Sequence, residues 1–405
     1  VNPNNQILVE LLTCTLYNHK PQGDIGLNIN WNIVFEEAIA HQVHSIIYPV
    51  LADLNPIYGP DQQLMKRWRE VTLQSAKVQL QHVHQISTVL HKFHHAEIPV
   101  VALKGLMIRE YYPHPELRTM GDADILIPIT QLKAASKLLK SLGYLEGAPT
   151  LKHTAFYHKY FPEIELHWAL MDKKSYRDKE MFTIGIWENT IQTELYGAPA
   201  LILSNEDQLL HLILHAIDHI QNNGFGLRQL CDFIIFIEAK RETIIWENII
   251  DKVSTYQLYR FAIALFEICN RLFGMKIPTI FSASEIEKSQ YIDALIDDIF
   301  DAGVYGRKTL DRETSCKFAK YIDSDVSSHR FPKLFTTLTF LFPPLPMLHM
   351  KYQYAHKYPI TLPIAWIHRG INNITRKKLI GKINNKDITT KSEERAKLLQ
   401  WLELR

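Results

Sequence analysis

The sequence predicts an α+β fold, in which a small mixed-sheet domain is embedded between N-terminal and C-terminal helical regions. Two changes of periodicity point to it. Apolar residues recur at spacings of three and four through residues 5–95, then give way at Ile98 to short β-branched runs. Helical spacing returns after Leu203. The implied units are residues 1–95, 96–203, 204–330 and 331–405, the last an aromatic, proline-rich segment with a basic tail.

Asn5–Tyr17, Trp31–Ala52 and Asp61–His95 read as helices, the third with no internal Gly or Pro. Ile98–Leu103 reads as a buried strand that turns at Lys104-Gly105. Leu106–Tyr112 is a short helix stopped by Pro113 and Pro115, and Asp124–Ile127 is a second buried strand closed by Pro128. Thr130 is placed to cap a helix over Gln131–Leu142, which Gly143 ends. Glu163–Trp168 alternates with period two, the mark of a half-buried strand. Ser204 with Asp207 three residues later starts a run of helices that reaches Arg271. Pro278–Ala283 is a linker and Ser284–Ala302 a further helix. Arg330–Pro363 takes no assignment, its aromatic run reads as core, and Thr375–Lys391 reads as a loose basic link to a last helix ending at Arg405.

Bulk composition narrows the function. With 405 residues, 46% hydrophobic and 22% charged, the chain has ordinary globular usage. A net charge of +2 is too mild for a dedicated nucleic-acid binder. Cys14, Cys231, Cys269 and Cys316 form no CxxC pair, which excludes a zinc knuckle or dithiol motif and fits a reducing cytoplasm. No secretory signal is expected. The most apolar stretch, Phe335–Met350, contains Pro343, Pro344 and Pro346, so no transmembrane segment is expected either.

The chemistry concentrates around Asp122 and Asp124. Two residues apart at a strand entrance, their carboxylates project to one side and repel each other unless a cation lies between them. Magnesium, or manganese in its place, suits oxygen ligands and shares its remaining positions with substrate phosphates. One ion would orient a triphosphate and a second would activate an attacking hydroxyl. Lys104, Gly105, Arg118 and Gly121 are the candidate nucleotide contacts: two cations, a glycine that permits close backbone approach, and a helix start that favours an anion. Glu163, Glu165 and His167 share one strand face; Glu165, between apolar neighbours, is the preferred third carboxylate and Glu163 the reserve.

His211, His215 and His219 recur every four residues, and histidines that face a cleft or are simply partly buried are the favoured reading over a transition-metal site. Arg228 and Asp232 are spaced either for a helical ion pair or for contact with the acceptor. His167, His215, Arg228 and Asp232 are therefore the candidate acceptor-side residues. Arg376–Lys391 reads as a solvated linker, with nucleic-acid or anionic-membrane contact as the less favoured reading.

These motifs resemble the polymerase-β-like nucleotidyltransferases, and within them the uncharacterised nucleotidyltransferase family of bacteria. The resemblance rests on Leu103-Lys104-Gly105, Tyr111-Tyr112-Pro113, Arg118, Gly121-Asp122-Ala123-Asp124-Ile125-Leu126-Ile127 and Glu165-Leu166-His167-Trp168, and extends to Ser204, Glu206-Asp207, His215, Leu227–Asp232 and Trp246-Glu247. It spans roughly residues 30–370. The turn departs from the superfamily's Gly-Ser or Gly-Gly, and the gap from Gly105 to Asp122 is long.

The resemblance implies a palm-like sheet, with Asp122, Asp124 and Glu165 as the metal-binding set and Glu165 near the base position. The expected reaction moves a nucleoside monophosphate from a nucleoside triphosphate to an acceptor (small molecule, peptide, protein or RNA) and releases pyrophosphate. One rival is a metal-dependent glycosyltransferase using its Asp-x-Asp pair, which would need a longer nucleotide-binding α/β half before the acids. The other is a degenerate binding or regulatory protein, against which the three acids argue.

Overall fold

The computed structural model describes residues 2–21, 29–170, 185–222, 224–281, 289–304, 342–345, 348, 352–377 and 385–404. Helices α1 (Pro3–Leu16), α2 (Trp31–Ala40), α3 (Tyr48–Ala52) and α4 (Gln62–His95) come first, with Asn2, Asn30 and Asp61 side chains capping the amides of Asn5, Ile33 and Leu64. Among the described residues seven strands follow: β1 (Val101–Ala102), β2 (Asp122–Leu126), β3 (Leu145–Pro149), β4 (His153–Tyr157), β5 (Glu163–His167), β6 (Ile191–Leu195) and β7 (Ala198–Ile202). Between β1 and β3 lie the single turn α5 (Gly105–Ile108) and α6 (Leu132–Ser141).

The strands form one sheet in the order β3-β4-β5-β2-β1-β7-β6. It is mixed, because β2 pairs in parallel with β5 and β1 with β7, while the remaining pairs are antiparallel. A mixed sheet flanked by helices is therefore the fold, as the periodicity predicts.

Only β1, β2 and β5 are legible from pattern. The outermost strands β3 and β6 are largely exposed and lack an apolar alternation, and β3 contains Gly147 and Pro149, which an edge strand tolerates. β2 begins at Asp122, two residues earlier than predicted, so both aspartates lie inside the strand. Thr130 does not cap α6: a 3₁₀ turn over Ile129–Gln131 leads into it, and Gln131 stands at the cap without a side-chain bond. Gly143 does end that region, at φ +89°.

The two sheet faces belong to different cores. Ala123, Ile125, Ile164 and Leu166 pack with Ile86, Val89 and Phe93 of α4 and with Ala135 and Leu139 of α6. Val101, Leu103 and Leu126 join a larger core with α1 and with α7 (Asn205–Asn222), α8 (Leu227–Lys240), α9 (Trp246–Thr255) and α10 (Tyr259–Phe273). Helices before and after the sheet thus share one core. Alternation along β2 puts Asp122 and Asp124 on the Leu126 side, beneath α7 and α8. Ser204 accepts from the Asp207 amide at 3.2 Å and starts α7 as its sequence predicts.

Helix α11 (Gln290–Ala302) is capped by Ser289, and residues 284–288 of the predicted Ser284–Ala302 helix lie outside the described set. The predicted loose link over Thr375–Lys391 is corrected at both ends by helices Leu362–Lys377 and Asn385–Trp401. Half of the unassigned Arg330–Pro363 stretch lies outside the described residues. Within it, Leu348, Tyr352 and Ala355 join Ala365 in a small separate core.

Buried histidines make stability depend on pH. His44 lies under α4, where Trp68 Nε1 donates to its carbonyl, and burial pushes its imidazole down to about 4. His211 of α7 is held well below the usual histidine range, by burial first and Lys104 second. Each ring stays neutral when folded but takes a proton near pH 6.5 when unfolded, so the unfolded chain binds more protons in that window. Stability is therefore full above about pH 6.5 and falls as pH drops toward 4, by on the order of a few kcal/mol. Urea melts at pH 7.5 and 5 read this; equal midpoints would show that neither ring resists protonation.

Candidate active site

The parallel register of β2 and β5 pairs Asp122 with Glu163, Asp124 with Glu165 and Leu126 with His167. Paired residues project to the same face, so four carboxylates stand together where a core strand would carry apolar side chains. Neighbouring elements hold this edge rigidly. Gln79 of α4 clamps the Met120 backbone with both ends of its amide, at 3.1 and 3.0 Å. Thr119 Oγ1 donates to Gln42 O at 3.1 Å.

Asp124 is buried and doubly engaged. Lys104, in a left-handed backbone conformation at φ 46°, follows Leu103, whose amide bonds the Asp124 carbonyl; its Nζ donates to Asp124 Oδ1 at 2.8 Å. His167 Nε2 lies 2.9 Å from the same oxygen and 3.2 Å from Glu165 Oε2. Burial alone would raise the Asp124 carboxyl, but the Lys104 charge and the His167 contact hold it well below the carboxylate range. Burial likewise opposes the Lys104 charge, and Asp124, Glu165 and Asp122 outweigh it to raise the ammonium above its usual value. Asp122 stands at the exposed lip. Its carboxyl is raised by desolvation within the cleft and by repulsion from Asp124.

These groups fit a hard divalent cation. Asp122 makes no side-chain hydrogen bond among the described residues, Asp124 is engaged only through Oδ1, and one ammonium does not balance four carboxylates. His153 adds a nitrogen that the sequence reading missed. It faces His167 across β4 and β5, with Nε2 at 3.6 Å from Glu165 Oε1. One ligand atom each of His153, Glu165 and His167 lies within 4.8 Å of the others, so this trio could also hold a metal ion. Only recognition of β4 and its register could have revealed it.

The phosphate-side expectations fare unevenly. Arg118 is buried and turned to Asp232, with Nε 3.1 Å from Oδ1 and Nη2 on Oδ2, while Tyr112 Oη donates to Oδ1 at 2.9 Å. Its guanidinium lies across the turn so closely that a Cβ on Gly105 would meet Nη1 at 2.5 Å. Glycine here makes room for arginine as much as for a ligand. With only Gly105–Ile108, α5 is too short for the expected helix-terminal anion seat. Gly121 is exposed just before β2. Arg228 donates to Gln42 Oε1 and, at 3.2 Å, to Thr119 O.

Sheet and helices enclose one cleft. Lys104, Gly105, Arg118, Asp122 and Asp124 line it from below, and His215, His219, Arg228 and Asp232 from α7 and α8. Phe225, Phe233 and Leu265 supply an apolar wall. Glu165 and His167 stand behind Asp124, outside the lining. The His215 and His219 rings meet edge to face at 4.4 Å, and burial lowers both below the usual histidine range. The arrangement can hold an anionic ligand by cations on its walls and position a hydroxyl beside carboxylates.

A family model described as an uncharacterised nucleotidyltransferase matches residues 28–274. No curated protein matches the chain significantly. Among solved structures, the solution structure of the antibiotic-resistance factor ANT(2'')-Ia is similar, with 12% identity and a TM-score of 0.34 over 45% of this chain and 94% of that one. No described helix is long and apolar enough to cross a membrane.

Proposed function

The chain belongs to the uncharacterised nucleotidyltransferase family, and from that premise we propose a metal-dependent transfer of a nucleoside monophosphate from a nucleoside triphosphate to an acceptor hydroxyl. The observation that carries this reading is the β2–β5 register, which puts Asp122, Asp124 and Glu165 on one face, the two aspartates lining the cleft and Glu165 behind Asp124. Magnesium or manganese held by Asp122 and Asp124 would supply charge neutralisation of the triphosphate and acidify the acceptor hydroxyl.

The protein groups have separable roles in this proposal. Lys104 is poised to exchange Asp124 for a phosphate oxygen. Glu165, oriented by His167 and His153, takes the acceptor proton as the acceptor oxygen forms its bond to the α-phosphorus. The bond from that phosphorus to the bridging oxygen breaks, and pyrophosphate leaves with the electron pair. Catalysis comes from positioning and fixed charge rather than covalent chemistry. Arg118 and Asp232 brace the cleft, Gly105 admits Arg118, and Gly121 borders the nucleotide side. Phe225 and Phe233 offer apolar surface to a base or an acceptor, with His215 and Arg228 at its polar rim.

The test supplies each of the four triphosphates, with cell extract as acceptor source, and reads pyrophosphate and label transfer. Expected is release with at least one triphosphate, abolished by EDTA and restored by added magnesium. Triphosphate binding without release would favour the degenerate binding protein, and turnover of a sugar nucleotide the glycosyltransferase.

A further inference from the structure

The C-terminal part of the chain combines two properties that the nucleotidyl-transfer reading does not use. Between Asp325 and Asp387 the sequence has ten Lys or Arg residues and no Asp or Glu. The whole chain is only +2, so the remainder is net negative and the positive charge is segregated here. In the same stretch, large apolar side chains face water. Ile360 is 90% exposed, Ile364 59%, Ile367 65%, Tyr358 55% and Phe342 50%. Ile364 and Ile367 are three apart on helix Leu362–Lys377, so they share a face, and Ile360 precedes them in the 3₁₀ turn Pro359–Thr361. Phe342 packs edge to face on Trp366, with ring centroids 5.4 Å apart. The opposite side of the helix is spoken for, since Ala365 is fully buried in the small core with Tyr352.

We propose that this face docks on an anionic lipid bilayer, with Ile360, Ile364 and Ile367 entering the headgroup boundary and the net positive charge of the stretch, which includes the exposed Lys357, attracting acidic headgroups. An interfacial helix has this composition: an aliphatic stripe, aromatic neighbours and a cationic flank. At 16 residues, Leu362–Lys377 lies on the bilayer rather than crossing it. Two other occupants fit less well. RNA would use the positive charge and the aromatic rings but gains nothing from three branched aliphatics. A second copy meeting the same face across a two-fold axis would bring two equally basic segments together.

The experiment is flotation of the full chain with vesicles of phosphatidylcholine alone or with added phosphatidylserine, with Ile364→Asn/Ile367→Asn and Lys377→Glu/Lys378→Glu as variants. Expected is binding to the anionic vesicles at least about tenfold above the neutral ones, and a loss of about tenfold or more in each variant. Thermal melts of the isoleucine variant should match wild type, because neither isoleucine joins the small core. Several results would overturn the proposal. These are wild-type binding to neither vesicle, undiminished binding by the isoleucine variant, or concentration-dependent dimers that this variant dissolves. Retention of an RNA oligonucleotide unaffected by the isoleucine change, without vesicle binding, would assign the basic segment to nucleic acid.

Discussion

Asp122→Asn and Asp124→Asn are each expected to lower metal-dependent nucleotidyl transfer on the order of 10²–10³-fold, while only Asp124→Asn lowers stability. Both remove a charge from the proposed cation site with almost no change of shape. Asp124, however, is the buried acceptor for Lys104 at 2.8 Å and His167 at 2.9 Å. Neutralising it leaves a buried ammonium without its closest counter-charge, so the melting temperature should fall. Asp122 has no such bonds and is repelled by Asp124, so its neutralisation should leave the melting temperature unchanged or raise it. An inactive variant that is at least as stable as wild type cannot be explained by misfolding. Initial rates of pyrophosphate release and thermal melts of both proteins decide it; wild-type rates for Asp122→Asn would remove that residue from the chemistry.

Arg118→Met should cost about 3–5 kcal/mol of unfolding free energy. The Arg118 and Asp232 side chains are only 5% and 9% exposed, and their pairing joins the β2 approach to α8. Without the guanidinium, Asp232 keeps the Tyr112 hydroxyl but has lost the positive charge that balances it. Restoring apolar balance with Arg118→Met/Asp232→Leu should recover much of the loss, because no unpaired charge then remains buried. Urea denaturation of the two single variants and the double completes the cycle. Additive losses would mean that the two groups act independently, and the bracing role of the pair would then be wrong.

The readable features in the sequence were those set by neighbours along the chain. The β-branched run before Lys104, the acid-apolar-acid order of Asp122 to Asp124 and the alternation through Glu163–His167 each announce themselves within a few residues. So does the Ser204 cap. Strands β3, β4, β6 and β7 do not: β3 and β6 are exposed edge strands that need no apolar alternation, and β4 and β7, one strand further in, are five-residue strands without a clean period of two. Missing β4 meant missing His153, whose place beside His167 exists only through strand pairing.

Arg118 and Asp232 illustrate the same limit for charge. Their sequence neighbours made Arg118 a phosphate ligand and paired Asp232 with Arg228 or an acceptor, whereas folding brings the two together across 114 positions. Residue order thus accounts for most of the helices, for strands β1, β2 and β5, for the acidic strand face and for the family, because periodicity and short motifs are local properties. Partner choice among the charged groups, the depth of each carboxylate and the enclosure of the cleft by α7 and α8 depend on long-range packing. Burial and ion-pair energies are set by whichever side chains the completed fold brings within a few ångströms, and no stretch of sequence contains that distance.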